Sequence, residues 1–146
     1  MTSATARSLY VLAGTLGLLA TTLPASEPMP TLLYEVTTET GMPHLEENLR
    51  YTLTRERRCL AHEALASAFP ILRHPALSGC RLEGETRADD KVSFELTCAT
   101  GHGTSGRALW ELGEHQIRGT LDVKLGGKNM TFYQRVTAVP IGPCPP

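Results

Sequence analysis

Between residues 80 and 98 apolar and polar positions alternate with a period of two, in two successive runs. Cys80, Leu82, Gly84 and Thr86 alternate with Arg81, Glu83, Glu85 and Arg87. Val92, Phe94, Leu96 and Cys98 alternate with Ser93, Glu95 and Thr97. Two half-buried strands joined by a polar turn have this pattern. With the turn centred on Asp89, the register sets Thr86 opposite Val92, Gly84 opposite Phe94, Leu82 opposite Leu96 and Cys80 opposite Cys98. Both cysteines then lie on the apolar face, at the open end of one hairpin.

The same alternation continues towards the C-terminus. Residues 106–112 and 115–124 flank Gly113-Glu114, which suits a type II′ turn and sets Trp110 opposite Ile117 and Ala108 opposite Gly119. Gly126-Gly127 marks a further two-residue turn, pairing Val123 with Met130, Leu121 with Phe132 and Ile117 with Val136. One face then carries Trp110, Ile117, Leu121, Val123, Met130, Phe132 and Val136. The other carries Arg118, Thr120, Asp122, Lys124, Thr131, Tyr133 and Arg135.

Upstream, residues 31–40 are rich in β-branched and aromatic side chains and read as a strand, and residues 48–55 alternate as a second. The charged run 55–58 (RERR) reads as a solvated turn. Residues 60–69 carry Leu60, Ala64, Leu65, Ala68 and Phe69 at helical spacing and predict an α-helix ended by Pro70. Residues 71–78 are a connector. The expected fold is mainly β: an antiparallel meander forming a small sandwich or half-barrel, with one packed α-helix over its apolar face. Gly84 and Gly119, inside strands, fit sharp bending.

Residues 9–23 form an apolar run of 15 residues, shorter than the ~20 a membrane-spanning helix needs. Arg7 precedes it and Pro24-Ala25-Ser26 follows, the layout of a secretory signal peptide over residues 1–25. A single disulfide-bonded domain, residues 26–146, is expected beyond it, with no further membrane span. Removing residues 1–25 takes away only Arg7, leaving 13 basic against 15 acidic side chains and a charge of −2. The signs are interspersed, so neither nucleic acid nor anionic lipid is indicated as a partner.

All four cysteines fall in residues 26–146, and an even count in an exported chain argues for disulfides. Four cysteines allow three connectivities. The hairpin register favours Cys80–Cys98, which leaves Cys59 for Cys144. A pairing of Cys59 with Cys80 or Cys98 would instead pin the helix and overturn the register.

Chemical motifs are incomplete. Residues 101–108 (GHGTSGRA) have phosphate-loop glycine spacing but Arg107 and Ala108 where Lys and Ser/Thr are needed. Gly103-Thr104-Ser105-Gly106-Arg107 opens like a nucleophile elbow and ends in arginine. His62-Glu63 opens like a zinc-protease helix, but Ala66 stands where the second histidine belongs. There is no CxxC, and the five histidines are scattered. Met29, Met42 and His44 lie near one another, which suits copper chemistry in an exported protein. Glu46-Glu47 and Asp89-Asp90 sit in turns. Asn129-Met130-Thr131 matches a glycosylation acceptor. Arg118, Lys124 and Arg135 could bind an anion, but a solvated sheet face accounts for them better.

Leu33-Tyr34-Glu35-Val36-Thr37, the charged lead-in to Cys59, the strand from Cys80 and the strand ending in Cys98 form a recognisable series. A Gly-rich segment before Trp110 and the terminal Ile141-Gly142-Pro143-Cys144 complete it. In these features the chain resembles a family of small exported bacterial four-cysteine proteins, the domain of unknown function 3617. The resemblance implies a periplasmic, disulfide-bonded protein and supplies no activity, cofactor or catalytic residue. Three functions remain open. The favoured one is a non-enzymatic binding or accessory module, with Trp110, Ile117, Leu121 and Phe132 as an apolar ligand face, or docking on an envelope protein. The others are copper handling through Met and His, and a hydrolase whose site is assembled from distant residues.

Overall fold

The structure, a computed structural model, describes residues 29–42, 51–99, 103–126 and 130–146. The predicted signal peptide, His44, Glu46-Glu47, the centre of the Gly-rich loop and Asn129 lie outside the described residues. Seven strands form one antiparallel sheet: β1 (Leu32–Gly41), β2 (Tyr51–Leu60), β3 (Cys80–Ala88), β4 (Lys91–Cys98), β5 (Ser105–Leu112), β6 (Ile117–Leu125) and β7 (Met130–Pro143). Their order is β2-β1-β7-β6-β5-β4-β3. The predicted five-strand meander is therefore present, and the first strand closes onto the last, with β2 outside it. There is one sheet where a two-sheet sandwich was an option.

The charged run 55–58 is not a turn. Arg55, Glu56, Arg57 and Arg58 belong to β2 and pair with Thr37, Val36, Glu35 and Tyr34 of β1. β2 is an edge strand, and Arg55, Glu56 and Arg57 are exposed there, while Arg58 is half-buried.

The predicted α-helix is replaced by 3-10 turns at His62–Ser67, Pro70–Arg73 and Pro75–Leu77. β2 runs on through Leu60, leaving too few residues before Pro70 to nucleate a stable α-helix. Pro70 and Pro75 push Phe69 and His74 into extended conformations, with ψ of 112° and 138°. The apolar spacing was a burial signal all the same. Leu60, Leu65, Ala68 and Phe69 are all buried against one face of the sheet. Phe69 packs on Trp110 with ring centroids 5.0 Å apart. The Arg58 Nη2 donates to the Ala68 carbonyl oxygen at 2.6 Å, and the Ile71 N–H donates to Gln134 Oε1 at 3.1 Å. This connector is the second layer of the fold.

The β3–β4 register begins as expected, with Cys80 opposite Cys98 and Leu82 opposite Leu96. It then shifts, so that Thr86 faces Ser93 and Arg87 faces Val92 in place of the expected Gly84–Phe94 and Thr86–Val92 pairs. The turn is Asp89-Asp90, with Asp89 at φ 53°, and the extra residue is absorbed at Gly84, whose φ of 66° marks a β-bulge. The next two hairpins each slide by two residues. Trp110 faces Gly119, Ala108 faces Leu121, Val123 faces Phe132 and Ile117 faces Ala138. A two-residue slide keeps every side chain on its expected face. Size selects the observed register: a Cβ on Gly119 would lie 2.7 Å from the Trp110 ring, so the indole occupies the space the glycine leaves.

The outer face is polar, as expected. It carries ion pairs Lys91–Glu111 at 3.4 Å, Arg107–Glu95 at 3.5 Å and Arg135–Glu39 at 3.7 Å, with the Arg135 guanidinium 4.5 Å from the centre of the Tyr133 ring. Exposed pairs of this kind contribute at most ~1 kcal/mol each. Both expected disulfides, Cys59–Cys144 and Cys80–Cys98, are formed. They are consistent with an extracellular or periplasmic location. Among the described residues no helix is long and apolar enough to cross a membrane.

Candidate functional site

The inner face of the sheet is built from alternate residues of all the central strands, and most of it is packed solid. Trp110 and Leu121 are fully buried, and Ile117 and Phe132 nearly so. Phe69 fills the space above Trp110, whose indole N–H has no hydrogen-bond partner among the described residues. Ile117 borders an open cleft with Met29, Leu112 and Glu114. Of the four residues expected to form an apolar ligand face, Phe132 alone reaches the cavity described next.

That cavity lies where the connector crosses the end of the sheet bearing the β6–β7 turn. Its floor is Leu125, Met130 and Phe132, with Met42 from the end of β1 beside them. Its roof is Ile71, Ala76 and Leu77 of the connector, and His74 stands at the same wall. The volume is about 250 Å³. Apart from the imidazole, the lining side chains are aliphatic, aromatic or thioether. Period-two alternation puts Phe132 on the inner face, and β6–β7 pairing sets Leu125 opposite Met130 at the sheet's margin. Pro70 precedes the roof and Pro75 lies within it, and both restrict its path.

His74 is held by its own backbone. Its Nδ1 accepts from the Ala76 N–H at 3.1 Å, so the neutral ring carries its proton on Nε2. The imidazole can therefore donate towards a ligand, but its lone pair is already used. Next to the cavity, Gln134 is almost fully buried on β7: its Nε2 donates to Thr40 Oγ1 at 2.7 Å while its Oε1 holds Ile71. Arg58, further along, is shifted downward mainly by burial, with Glu56 opposing and nearby Arg73 adding to the shift.

The other chemical candidates do not converge. Met29 and Met42 line different cavities. Among the described residues there is no group of three His, Cys, Asp or Glu side chains that could hold a metal. His62 bonds Glu85 at 2.8 Å, and no histidine bonds Ser105 among the described residues. A hollow on the outer face contains Arg107 and Lys124, but also Glu95 and Asp122, so its charges balance. Tyr133 there is pushed up by desolvation and by donating to Glu39 at 3.0 Å.

Sequence reasoning missed Ile71, His74, Ala76 and Leu77. They lie in a proline-broken segment with no period, and the available signal is three large apolar residues, Ile71, Leu72 and Leu77, in a short connector. Comparison of the chain with protein-family models, curated proteins and solved structures finds no match.

Proposed function

We propose that the protein is an exported, disulfide-stabilised, non-enzymatic binding module of the bacterial envelope, and that it holds a small apolar ligand under the connector. The resemblance to the domain of unknown function 3617 accords with this proposal. The cavity bounded by Met42, Met130, Phe132, Ile71 and Leu77 carries it. An apolar cavity of ~150 Å³ accepts benzene, so 250 Å³ suits a single ring or a short alkyl chain. It is below the ~300–1,000 Å³ of sites that enclose drug-sized ligands. The His74 Nε2–H offers one polar contact to orient such a ligand.

Methyl-labelled methionine tests this directly. On titration with toluene or indole, the Met42 and Met130 methyl resonances should shift while that of Met29, in a separate cleft, stays still. Ala76→Trp should fill the cavity and abolish the shifts. Equal movement of all three methyls, or none, would sink the proposal. Copper handling keeps one point in its favour, since Met42, Met130 and His74 line the same cavity and thioethers suit Cu(I). Against it stands the Ala76 bond to His74 Nδ1. The same labelled methyls report on added Cu(I).

A further inference from the structure

The two edges of the sheet are built differently. β3 is broken by the bulge between Glu83 and Thr86, and a 3-10 turn lies against it, with His62 bonded to Glu85. Bulges and covering segments are how proteins block strand addition at an edge. β2 has neither. It pairs with β1 over ten consecutive residues with no shift in register, and it contains no proline. From Tyr51 to Arg57 it is exposed on both faces, and Tyr51 and Leu53 are 55% and 62% exposed. Among the described residues, no strand of this sheet faces the row of N–H and C=O groups on its far side.

We propose that the free edge of β2 is a self-association surface, on which two copies pair antiparallel about a two-fold axis at Thr54 and continue the sheet across the dimer. Charge selects both the partner and the register. A two-fold axis normal to a sheet keeps outer faces together, so the axis must fall on a residue. Placed at Arg55, Glu56 or Arg57, it sets like charges directly opposite each other, which is destabilising. Placed at Thr54, it sets Leu53 opposite Arg55 of the second copy, Thr52 opposite Glu56 and Tyr51 opposite Arg57. No like charges meet over residues 51–57. The Tyr51 ring gains a guanidinium, and Leu53 gains the aliphatic stem of Arg55. An axis at Leu53 also avoids like charges but pairs a shorter stretch. One strand pair buries less than the ~1,200–2,000 Å² of a standard interface, so the dimer is weak.

Sedimentation equilibrium of the disulfide-intact protein, from about 10 μM to about 1 mM, should show the mass rising towards twice that of one chain. Leu53→Lys should lower the association constant at least ten-fold, with the circular dichroism spectrum and melting curve unchanged. A nitroxide on Thr54→Cys, attached after the native disulfides have formed, fixes the register. Two such labels should lie within ~10 Å of each other, whereas labels on Arg57→Cys should be ~20 Å apart. A single-chain mass at every concentration overturns the proposal. So does a Leu53→Lys protein that associates like the wild type, or a closer approach of labels at position 57 than at 54.

Discussion

Replacing Cys59 and Cys144 together by alanine should cost more stability than replacing Cys80 and Cys98. Leu33 of β1 pairs with Cys59 on one side and Gly142 on the other, so the Cys59–Cys144 bond spans β1 and ties β2 to the tail of β7. It closes a loop of 85 residues, whereas Cys80–Cys98 closes one of 18. On the chain-entropy model those closures are worth about 4.5 and about 3 kcal/mol, a difference of about 1.4 kcal/mol. The packing contribution is small in both cases, because Cys59 is exposed and the other three cysteines are only half-buried. For a domain of this size the larger loss corresponds to a melting temperature lower by about 15 °C. Urea unfolding at 25 °C without reductant, on double variants that each keep the other disulfide, measures both values. A Cys80/Cys98 variant as unstable as the Cys59/Cys144 variant, or a cost below about 2 kcal/mol for the latter, would refute the loop argument.

Three further substitutions probe the core and its layers. Gly119→Ala puts a methyl 2.7 Å from the fully buried Trp110 ring and should cost about 1–3 kcal/mol, with a changed near-ultraviolet signal from the displaced indole. Gln134→Leu strips the Ile71 N–H and Thr40 hydroxyl of their partner, so about 2–3 kcal/mol should be lost in urea unfolding. Burial raises the Tyr34 pKa, so the folded chain keeps a proton that the unfolded chain releases near pH 10. The resulting stability is complete below that pH and is lost as pH rises towards the folded value, and Tyr34→Phe should flatten the alkaline decline.

The sheet was legible because its strands alternate cleanly, and a two-residue slide leaves the faces intact. The faces of Trp110, Leu121 and Phe132 therefore follow from period two, although their partners do not. Partner choice depended on the fit of one indole against one glycine, a three-dimensional matter that alternation does not encode. The charged half of β2 differs from its sequence reading because RERR looks like a turn until β1 lies beside it. The connector was harder still. Its apolar residues are placed for burial, but two prolines and a strand running through Leu60 remove the length an α-helix needs. The cavity is roofed by that connector, so half of its lining is hidden from the pattern for the same reason.

The disulfides bracket this connector. Cys59 is the penultimate residue of β2, and Cys80 is the first of β3. The segment between them carries only isolated 3-10 turns and would wander if its ends were free. Covalent fixing at both ends, with the Arg58 and Gln134 bonds between, holds Ile71, His74 and Leu77 in place before any ligand arrives. A roof ordered in advance spares a ligand the entropy of ordering it. The Cys80–Cys98 bond should therefore matter more for the roof than for the rest of the sheet. In Cys80→Ala/Cys98→Ala, amide exchange over residues 70–78 should quicken at least about ten-fold relative to β6. The affinity for toluene should fall with it. Uniform acceleration across connector and sheet would show instead that the bond acts on global stability alone, and that the cavity is held open by packing against Trp110 and Phe132.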